Sequence, residues 1–377
     1  MIQKLWYEWL WFWVQIGFRI FYKRWQVVNA HYVPKDKPII YAANHQNAFM
    51  DAIAIILTQK KQPSFLVRAN IFKSAIARFW LGSLNMMPIY RARDGIRNVA
   101  KNDKIIDTCI NQLIDGRKPL AIFPEGNHNM IRRVRALQKG IARIAFQAIE
   151  KANFDLDLKI VPVGINYSSH TMFRSDLLVN IGEPIAVKKY IAIYKDNPNK
   201  AYTELLKELT MSIRELSIDI QDKENYEQIE SAWLNQKVER SSMQEEFMHD
   251  KEFIKQFENN SANSLKQQPK LDKKSTLTLA EKILGFPIYL WGAINNFLLW
   301  KFTNFMIKKV VTDSHFYSSI KLVSGVFIGL LLYLIQALAI WAITGGWGYA
   351  VVYAFTLPLF AIFTYDYHLA LKEQKLP

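Results

Sequence analysis

Residues 38–59 read PIIYAANHQNAFMDAIAIILTQ. Pro38 to Ala43 is a β-branched and aromatic run, Asn44 to Asn47 is polar, and Asp51 to Gln59 returns to an apolar, helix-forming pattern. A strand that passes through a polar loop into a helix is the repeating unit of an α/β sheet, and the loop at its carboxyl end is where such sheets hold their reactive groups. Outward from this stretch the same alternation recurs. Ser64 to Arg68, Met86 to Tyr90, Pro119 to Phe123, Lys159 to Asn166 and Leu177 to Ile181 read as strands. Asn98 to Asp115, closed by Gly116, then Gly140 to Glu150 and Lys200 to Ile220 read as helices. Strands alternating with helices predict an α/β domain over residues 31–221, with a largely parallel mixed sheet flanked by helices.

Three of the later strands also end in short clusters: Met87-Pro88-Ile89-Tyr90-Arg91, Phe123-Pro124-Glu125-Gly126 and Val161-Pro162-Val163-Gly164. With Asn44 to Asp51 they make an ordered series, and that series resembles the PlsC-like glycerophosphate acyltransferase superfamily. The resemblance runs up to the charged stretch that begins at Asp222. It implies an O-acyltransferase of phospholipid (phosphatidic acid) synthesis, moving a fatty acyl group from an acyl-CoA or acyl carrier protein thioester to glycerol-3-phosphate, with lysophosphatidic acid or another lysolipid as alternative acceptors. A catalytically silent, lipid-binding relative is the reading from another class, and it has no chemical need for His45, Asp51, Arg91 and Glu125 together.

The chemistry suits these residues. Ester formation needs a base for the acceptor hydroxyl, and histidine titrates near neutrality. A carboxylate on the other ring nitrogen fixes the tautomer and stabilises the imidazolium. The resemblance assigns these roles to His45 and Asp51. No Ser or Cys nucleophile is required because a thioester is already activated, and neither a metal nor a bound cofactor is expected. Five residues separate His45 from Asp51, one more than the commonest superfamily spacing. A six-residue step on a helix turns side chains apart, so part of Gln46 to Met50 must be non-helical for the two to meet. The pattern H-x-N-x-F-x-D is similar to that of fungal-type glycerol-3-phosphate acyltransferases, and Asn47 joins the substrate-binding candidates on that basis. The resemblance puts a phosphate-binding arginine at Arg91, where a planar fork donates paired, charge-assisted bonds. Arg93 reads more readily as a surface ion-pair residue. Glu125 and Gly126 shape the acceptor site in the family. Here Asn127-His128-Asn129 follow where the family often has Thr-Arg or a Ser, and Arg132, Arg133 and Arg135 are alternative sources of charge. His128 reads equally as a headgroup ligand or a satisfied loop histidine. Pro162, with Gly164, reads equally as part of a donor site or as strand-edge structure.

Composition points the same way. The chain carries a formal net charge of +15, is 50% hydrophobic, and concentrates its 11 Trp and 23 Phe toward its ends. Such a charge needs an acidic partner. The apolar ends favour membrane lipid, and no nucleic-acid module is present. The single cysteine, Cys109, excludes an internal disulfide framework and any multi-cysteine metal site, and its apolar helical setting predicts a buried structural thiol.

Residues 1–30 hold an aromatic helix, Leu5 to Tyr22, followed by Lys23, Arg24 and Trp25. It reads as interfacial or re-entrant, because Trp and Tyr favour the headgroup level. It also reads as uncleaved, because Lys4, Glu8 and Arg19 interrupt the apolar start and a small-residue cleavage site is lacking. Residues 222–282 are crowded with charge and predict a solvated helix and a flexible tether through Asn259 to Lys274. The remainder, 283–377, is membrane-like. Leu322 to Ile343 and Trp347 to Tyr365 are apolar enough to cross as a helical hairpin joined by Thr344-Gly345-Gly346. Ile283 to Trp300, broken by Pro287 and Asn295-Asn296, reads as interfacial or re-entrant. Lys308, Lys309 and Lys321 before the hairpin and Lys372 and Lys375 after it predict that both ends, and the catalytic domain, face the cytoplasm.

Overall fold

The computed structural model describes residues 2–58, 61–90, 100–116, 118–237, 240–259 and 277–373. They divide into two compact units, one of Met1–Trp11, Trp25–His170 and Leu177–Gln267, the other of Phe12–Arg24, Thr171–Asp176 and Gln268–Pro377.

The first unit is built on an eight-stranded sheet. Its strands are β1 (Arg24–Val28), β2 (Ile39–Ala43), β3 (Ser64–Arg68), β4 (Met86–Ile89), β5 (Leu120–Ile122), β6 (Lys159–Tyr167), β7 (Asp176–Ile181) and β8 (Ile185–Ala186). The order is β1-β7-β6-β2-β5-β3-β4, with β8 also on β6. β2 pairs in parallel with both β5 and β6, and β3 with β4 and β5. β7 and β8 return antiparallel on β6. This is the largely parallel mixed sheet that the alternation predicts. All five residues of β2 are buried, as a strand covered on both faces requires.

The helices of the chain begin with α1 (Ile2–Phe21), α2 (Ala48–Leu57), α3 (Ala75–Ser83), α4 (Asn102–Ile114), α5 (Gly140–Lys151), α6 (Ile191–Asp196) and α7 (Pro198–Leu216). Ile141, Ala145, Phe146 and Ile149 of α5 and Leu205, Leu209 and Ile213 of α7 share one core with β2, β5 and β6. Cys109 of α4 lies in that core, and burial pushes its thiol up to about 12, so it is an inert packing group. Gly164 of β6 has a steric reason to be glycine: a Cβ there would fall 2.0 Å from the Leu216 carbonyl oxygen. That carbonyl ends α7 and accepts from the side chains of Asn166 and Asn180 at 2.9 and 3.0 Å.

Residues 222–259 differ from the solvated segment that their charge suggests. They form α8 (Tyr226–Gln236) and α9 (Met243–Asn259). Ile229, Trp233, Phe247, Ile254 and Phe257 close a second core with Val28, Leu178, Ile218 and Ile220. One apolar residue per turn suffices when each is large and fully covered. The tether through Lys274 lies almost entirely outside the described residues.

The second unit is helical. α10 (Leu279–Asn295) starts from a capping box in which Thr278 and Glu281 satisfy each other's backbone N–H groups. α11 (Phe297–Phe305) follows after a break at Asn296, where Leu279–Asn295 and Phe297–Lys309 meet at 57°. α12 (Tyr317–Val323) and α13 (Leu330–Thr344) lie in one continuous rod, Ser314–Thr344, and α14 is Trp347–Glu373. Among the described residues Ser314–Thr344 and Trp347–Lys372 are long and apolar enough to cross a membrane, and the bent pair is a broken span or a re-entrant loop. Gly292 lets α10 approach α14, since a Cβ would fall 2.5 Å from the Phe360 carbonyl oxygen. Gly17 does the same for the second half of α1, where a Cβ would meet Val326 at 2.3 Å. Arg174 pairs with Asp366 at 3.0 Å, and Lys321 donates to the Thr171 carbonyl at 2.6 Å.

Candidate active site

Because β2, β5 and β6 run in parallel, their carboxyl ends lie on one edge of the sheet, and three of the four sequence clusters or their continuations meet there. Asn44 leaves β2 and fastens the edge: its amide donates to the Ile165 carbonyl at 3.0 Å and its Oδ1 accepts the Ile165 N–H at 2.7 Å. His45 follows, with a side chain only 15% exposed.

The six-residue offset to Asp51 is bridged by two residues outside the helix. α2 begins at Ala48, so Gln46 and Asn47 are free to curl, and Ala48 takes the left-handed region at φ 40. Their backbone N–H groups donate to Asp51 Oδ2 at 2.9 and 2.8 Å, while His45 Nδ1 lies 2.8 Å from the same oxygen. The Tyr167 hydroxyl donates to Asp51 Oδ1 at 2.6 Å. Asp51 is fully buried and serves as acceptor to all of these groups. Nδ1 therefore carries the ring proton, and Nε2, which has no described partner, is left with a lone pair. The imidazole is held flat against Phe123, with ring centroids 4.1 Å apart at 12°, and His128 presents an edge to it at 5.5 Å.

Glu125 sits one turn beyond β5 with its carboxyl buried, and Arg135 pairs with it. Burial pushes the carboxyl up to about 7, against the opposing pull of Arg135 and of the His45 backbone amide. Gly126 adopts φ 77, which a side chain resists, and a Cβ would crowd Gln138 at 3.2 Å. The turn closes through Gly126 N–H on the Phe123 carbonyl at 3.0 Å. Asn129 N–H on the His45 carbonyl at 3.0 Å ties the loop after Gly126 to the first cluster.

The remaining candidates separate. Asn47 is buried behind the dyad: its amide donates to the His170 carbonyl at 2.8 Å, and its Oδ1 is a buried acceptor without a partner among the described residues. Arg135 is engaged by Glu125 and Asn127. Arg132 is buried in an entirely different set of contacts, with Glu230, Tyr167 and Ser168. Pro162 lies inside β6 opposite Ala42, with its carbonyl accepting the Gly182 N–H at 2.9 Å, so its described contacts are those of the sheet. Arg91 and Arg93 lie outside the described residues. β4, which leads to them, is parallel to β3 and β5, and Asn102 holds Tyr90 by exchanging bonds with its N–H and C=O at 2.9 and 2.8 Å. Sequence reading passed over Tyr167 and His170. A tyrosine closing an apolar strand reads as core, and the one available signal was its place at the carboxyl end of β6.

Residues 24–166 match the family model described as Acyltransferase. Glycerol-3-phosphate O-acyltransferase 2 of Saccharomyces cerevisiae is 35% identical over 95 residues, 25% of this chain and 13% of that protein. Glycerol-3-phosphate O-acyltransferase 1 of the same yeast is 32% identical over 108 residues, 28% of this chain and 14% of that protein. The alignments thus span a small part of these relatives' length. The crystal structure of the 1-acyl-sn-glycerophosphate acyltransferase PlsC from Thermotoga maritima aligns at a TM-score of 0.37 and 21% identity, covering 53% of this chain and 77% of that one.

Proposed function

From an acyltransferase-family domain at residues 24–166 that holds a buried His45–Asp51 pair, we propose an O-acyltransferase of glycerolipid synthesis that moves a fatty acyl group from an acyl thioester to glycerol-3-phosphate. The single observation that carries this reading is the His45 ring, with Nδ1 committed to Asp51 and Nε2 without a partner among the described residues. Nε2 takes the proton of an acceptor hydroxyl as its oxygen attacks the thioester carbonyl. The C–O bond forms, the C–S bond breaks, and the imidazolium returns the proton to the departing thiolate. Asp51 stabilises the imidazolium meanwhile, and general-base help of this kind contributes on the order of 10²- to 10⁴-fold. The reaction calls for no metal or bound cofactor. The identity with the yeast glycerol-3-phosphate enzymes favours glycerol-3-phosphate over a lysolipid as acceptor, with Arg91 as the phosphate clamp.

The helices Ser314–Thr344 and Trp347–Lys372 support attachment to a membrane. Lysines at Lys308, Lys309, Lys321 and Lys372, outside the apolar runs, favour a cytoplasmic catalytic unit. Phe79, 71% exposed on α3, and Trp80, whose ring meets Trp6 at 5.2 Å, support contact of this unit with the headgroup layer. The test is an assay of the purified full chain in detergent with labelled acyl-CoA or acyl carrier protein against glycerol-3-phosphate, glycerone phosphate and lysophosphatidic acid. Transfer to glycerol-3-phosphate is expected. Acylation of lysophosphatidic acid alone overturns the acceptor, and no transfer to any of the three overturns the activity.

A further inference from the structure

Asp51 has two oxygens with different neighbours. Oδ2 takes His45 Nδ1 and the two loop amides, whereas Oδ1 takes the Tyr167 hydroxyl at 2.6 Å. Tyr167 is the last residue of β6 and is 2% exposed. Its own carbonyl and that of Ser168 are themselves gripped. Arg132 donates through Nη1 to the Tyr167 carbonyl and through Nη2 to the Ser168 carbonyl at 3.1 Å.

Arg132 is buried to 3% exposure, and a cation so placed is costly unless its donors are engaged. α8 engages them. Arg132 Nε donates to Glu230 at 3.0 Å, and its guanidinium lies over the Trp233 ring at 4.7 Å. Its backbone N–H donates to the Tyr226 hydroxyl at 2.8 Å, and its carbonyl accepts the Ile220 N–H at 2.8 Å. The series Trp233, Arg132, Tyr167, Asp51, His45 is continuous within the first unit. It starts on a helix beyond residues 24–166, the stretch that matches the family.

We infer that Tyr167 is a positioning residue for the His45–Asp51 pair, held at its height by Arg132 and by Glu230 and Trp233 of α8, so that α8 is part of the frame of the active site. With Oδ1 fixed by the hydroxyl, the carboxylate cannot rotate, and Oδ2 stays in line with Nδ1. A carboxylate free to swing shares its charge unevenly with the ring and loosens the tautomer. A misplacement of this kind lowers turnover without touching substrate affinity. The kinetic consequence rests on the acyltransferase reading; the structural one does not.

The experiment uses the full chain in detergent with ¹⁵N-labelled histidine. His45→Gln identifies the His45 ring signals among those of 7 histidines. In the wild type these signals report a proton fixed on Nδ1. Tyr167→Phe, which removes one oxygen and keeps the ring, shifts them toward a mixture of tautomers, and Arg132→Lys shifts them the same way by less. In the acyl-transfer assay Tyr167→Phe lowers kcat about tenfold, with both KM values within about twofold. His45 signals unchanged in Tyr167→Phe overturn the inference whatever the activity does. Shifted signals in a protein that transfers no acyl group leave Tyr167 as the positioning residue and remove the acyltransferase reading instead.

Discussion

The loop Asn44–Asn47 and the break at Asn295–Asn296 both interrupt regular structure among apolar neighbours, and both do so with asparagine, yet they settle their polar groups differently. At the break, the single proton of the Tyr353 hydroxyl is shared between Asn295 Oδ1 at 2.6 Å and Gln336 Oε1 at 2.9 Å, and Tyr333 donates to Asn296 Oδ1 at 2.6 Å. The two asparagine amides donate to the carbonyls of Trp291 and Gly292 at 2.8 and 3.0 Å. The half-buried network closes on itself, as suits polar groups among apolar helices. At the strand edge the same demand is met around Asp51 and stops there. His45 Nε2 has no described partner, and the Asn47 Oδ1 is a buried acceptor without one. The proposed reaction uses the atom left over at the strand edge, and the break has no such atom among the described residues.

The most severe way to break this contrast is to remove the unspent atom. His45→Ala is expected to lower acyl transfer by about 10²-fold or more, the ordinary worth of a positioned general base. The chain should still fold, because the ring packs on Phe123 but supports no backbone bond through its side chain. Asp51→Asn should be nearly as damaging to turnover and worse for stability, since Asp51 also takes the Gln46 and Asn47 amides. Steady-state kinetics with circular dichroism and a thermal scan separate the two effects. Near-wild-type transfer by either variant removes the distinction between the two interruptions.

The acceptor side is the next test. Arg91→Ala should raise KM for glycerol-3-phosphate about tenfold, the cost of a charge-assisted contact worth roughly 1.5 to 3 kcal/mol. The donor KM should move far less. A rise in donor KM instead would detach Arg91 from the phosphate.

Legibility followed how local each cause was. β3 was readable to the residue, Ser64–Arg68, because the apolar run Phe65-Leu66-Val67 stands between Pro63 and a helix-like stretch. The bend between His45 and Asp51 was readable because six residues on a helix cannot bring two side chains together. Tyr167 was not, because its partner is 116 residues away in sequence. Arg132 reads with Arg133 and Arg135 as a source of charge for the acceptor, whereas Glu230 and Trp233, far along the chain, account for its burial. α8 and α9 were hidden by their charge: Ile229 and Trp233 are four apart, and Ile254 and Phe257 three apart, but charged and amide side chains crowd the positions between and around them. The helix α3, with its exposed Phe79 and Trp80, gave no motif to read.

Glu125 extends the comparison to pH. Its carboxyl stands at about 7 in the fold against an ordinary 4.5, raised by burial, so folding takes up a proton between those values. The unfolded chain binds fewer protons there, and stability declines as pH rises. The contribution is whole below 4.5 and is lost as pH passes through 7, by on the order of 3 kcal/mol at most. Glu125→Gln should flatten the fall in thermal midpoint between about pH 5 and 8. A variant that retains the wild-type slope would assign the slope to other groups. A steeper slope would mean that the pair with Arg135 outweighs burial.

The smallest effect belongs to the break. Tyr353→Phe removes one donor shared by Asn295 and Gln336, at 2.6 and 2.9 Å, and leaves the ring against Trp291. Hydrogen bonds between helices in an apolar bundle are worth about 0.6 kcal/mol on average and roughly 1.7 at most, because the unpaired groups find other partners. Unfolding of the detergent-solubilised chain should therefore register a loss in that range. Turnover at saturating substrate should stay within about twofold, since a closed network contributes no atom to the reaction. A fall in kcat out of proportion to the loss of stability would show that the break at Asn295–Asn296 does more than bend a helix, and the two interruptions would then belong to one kind.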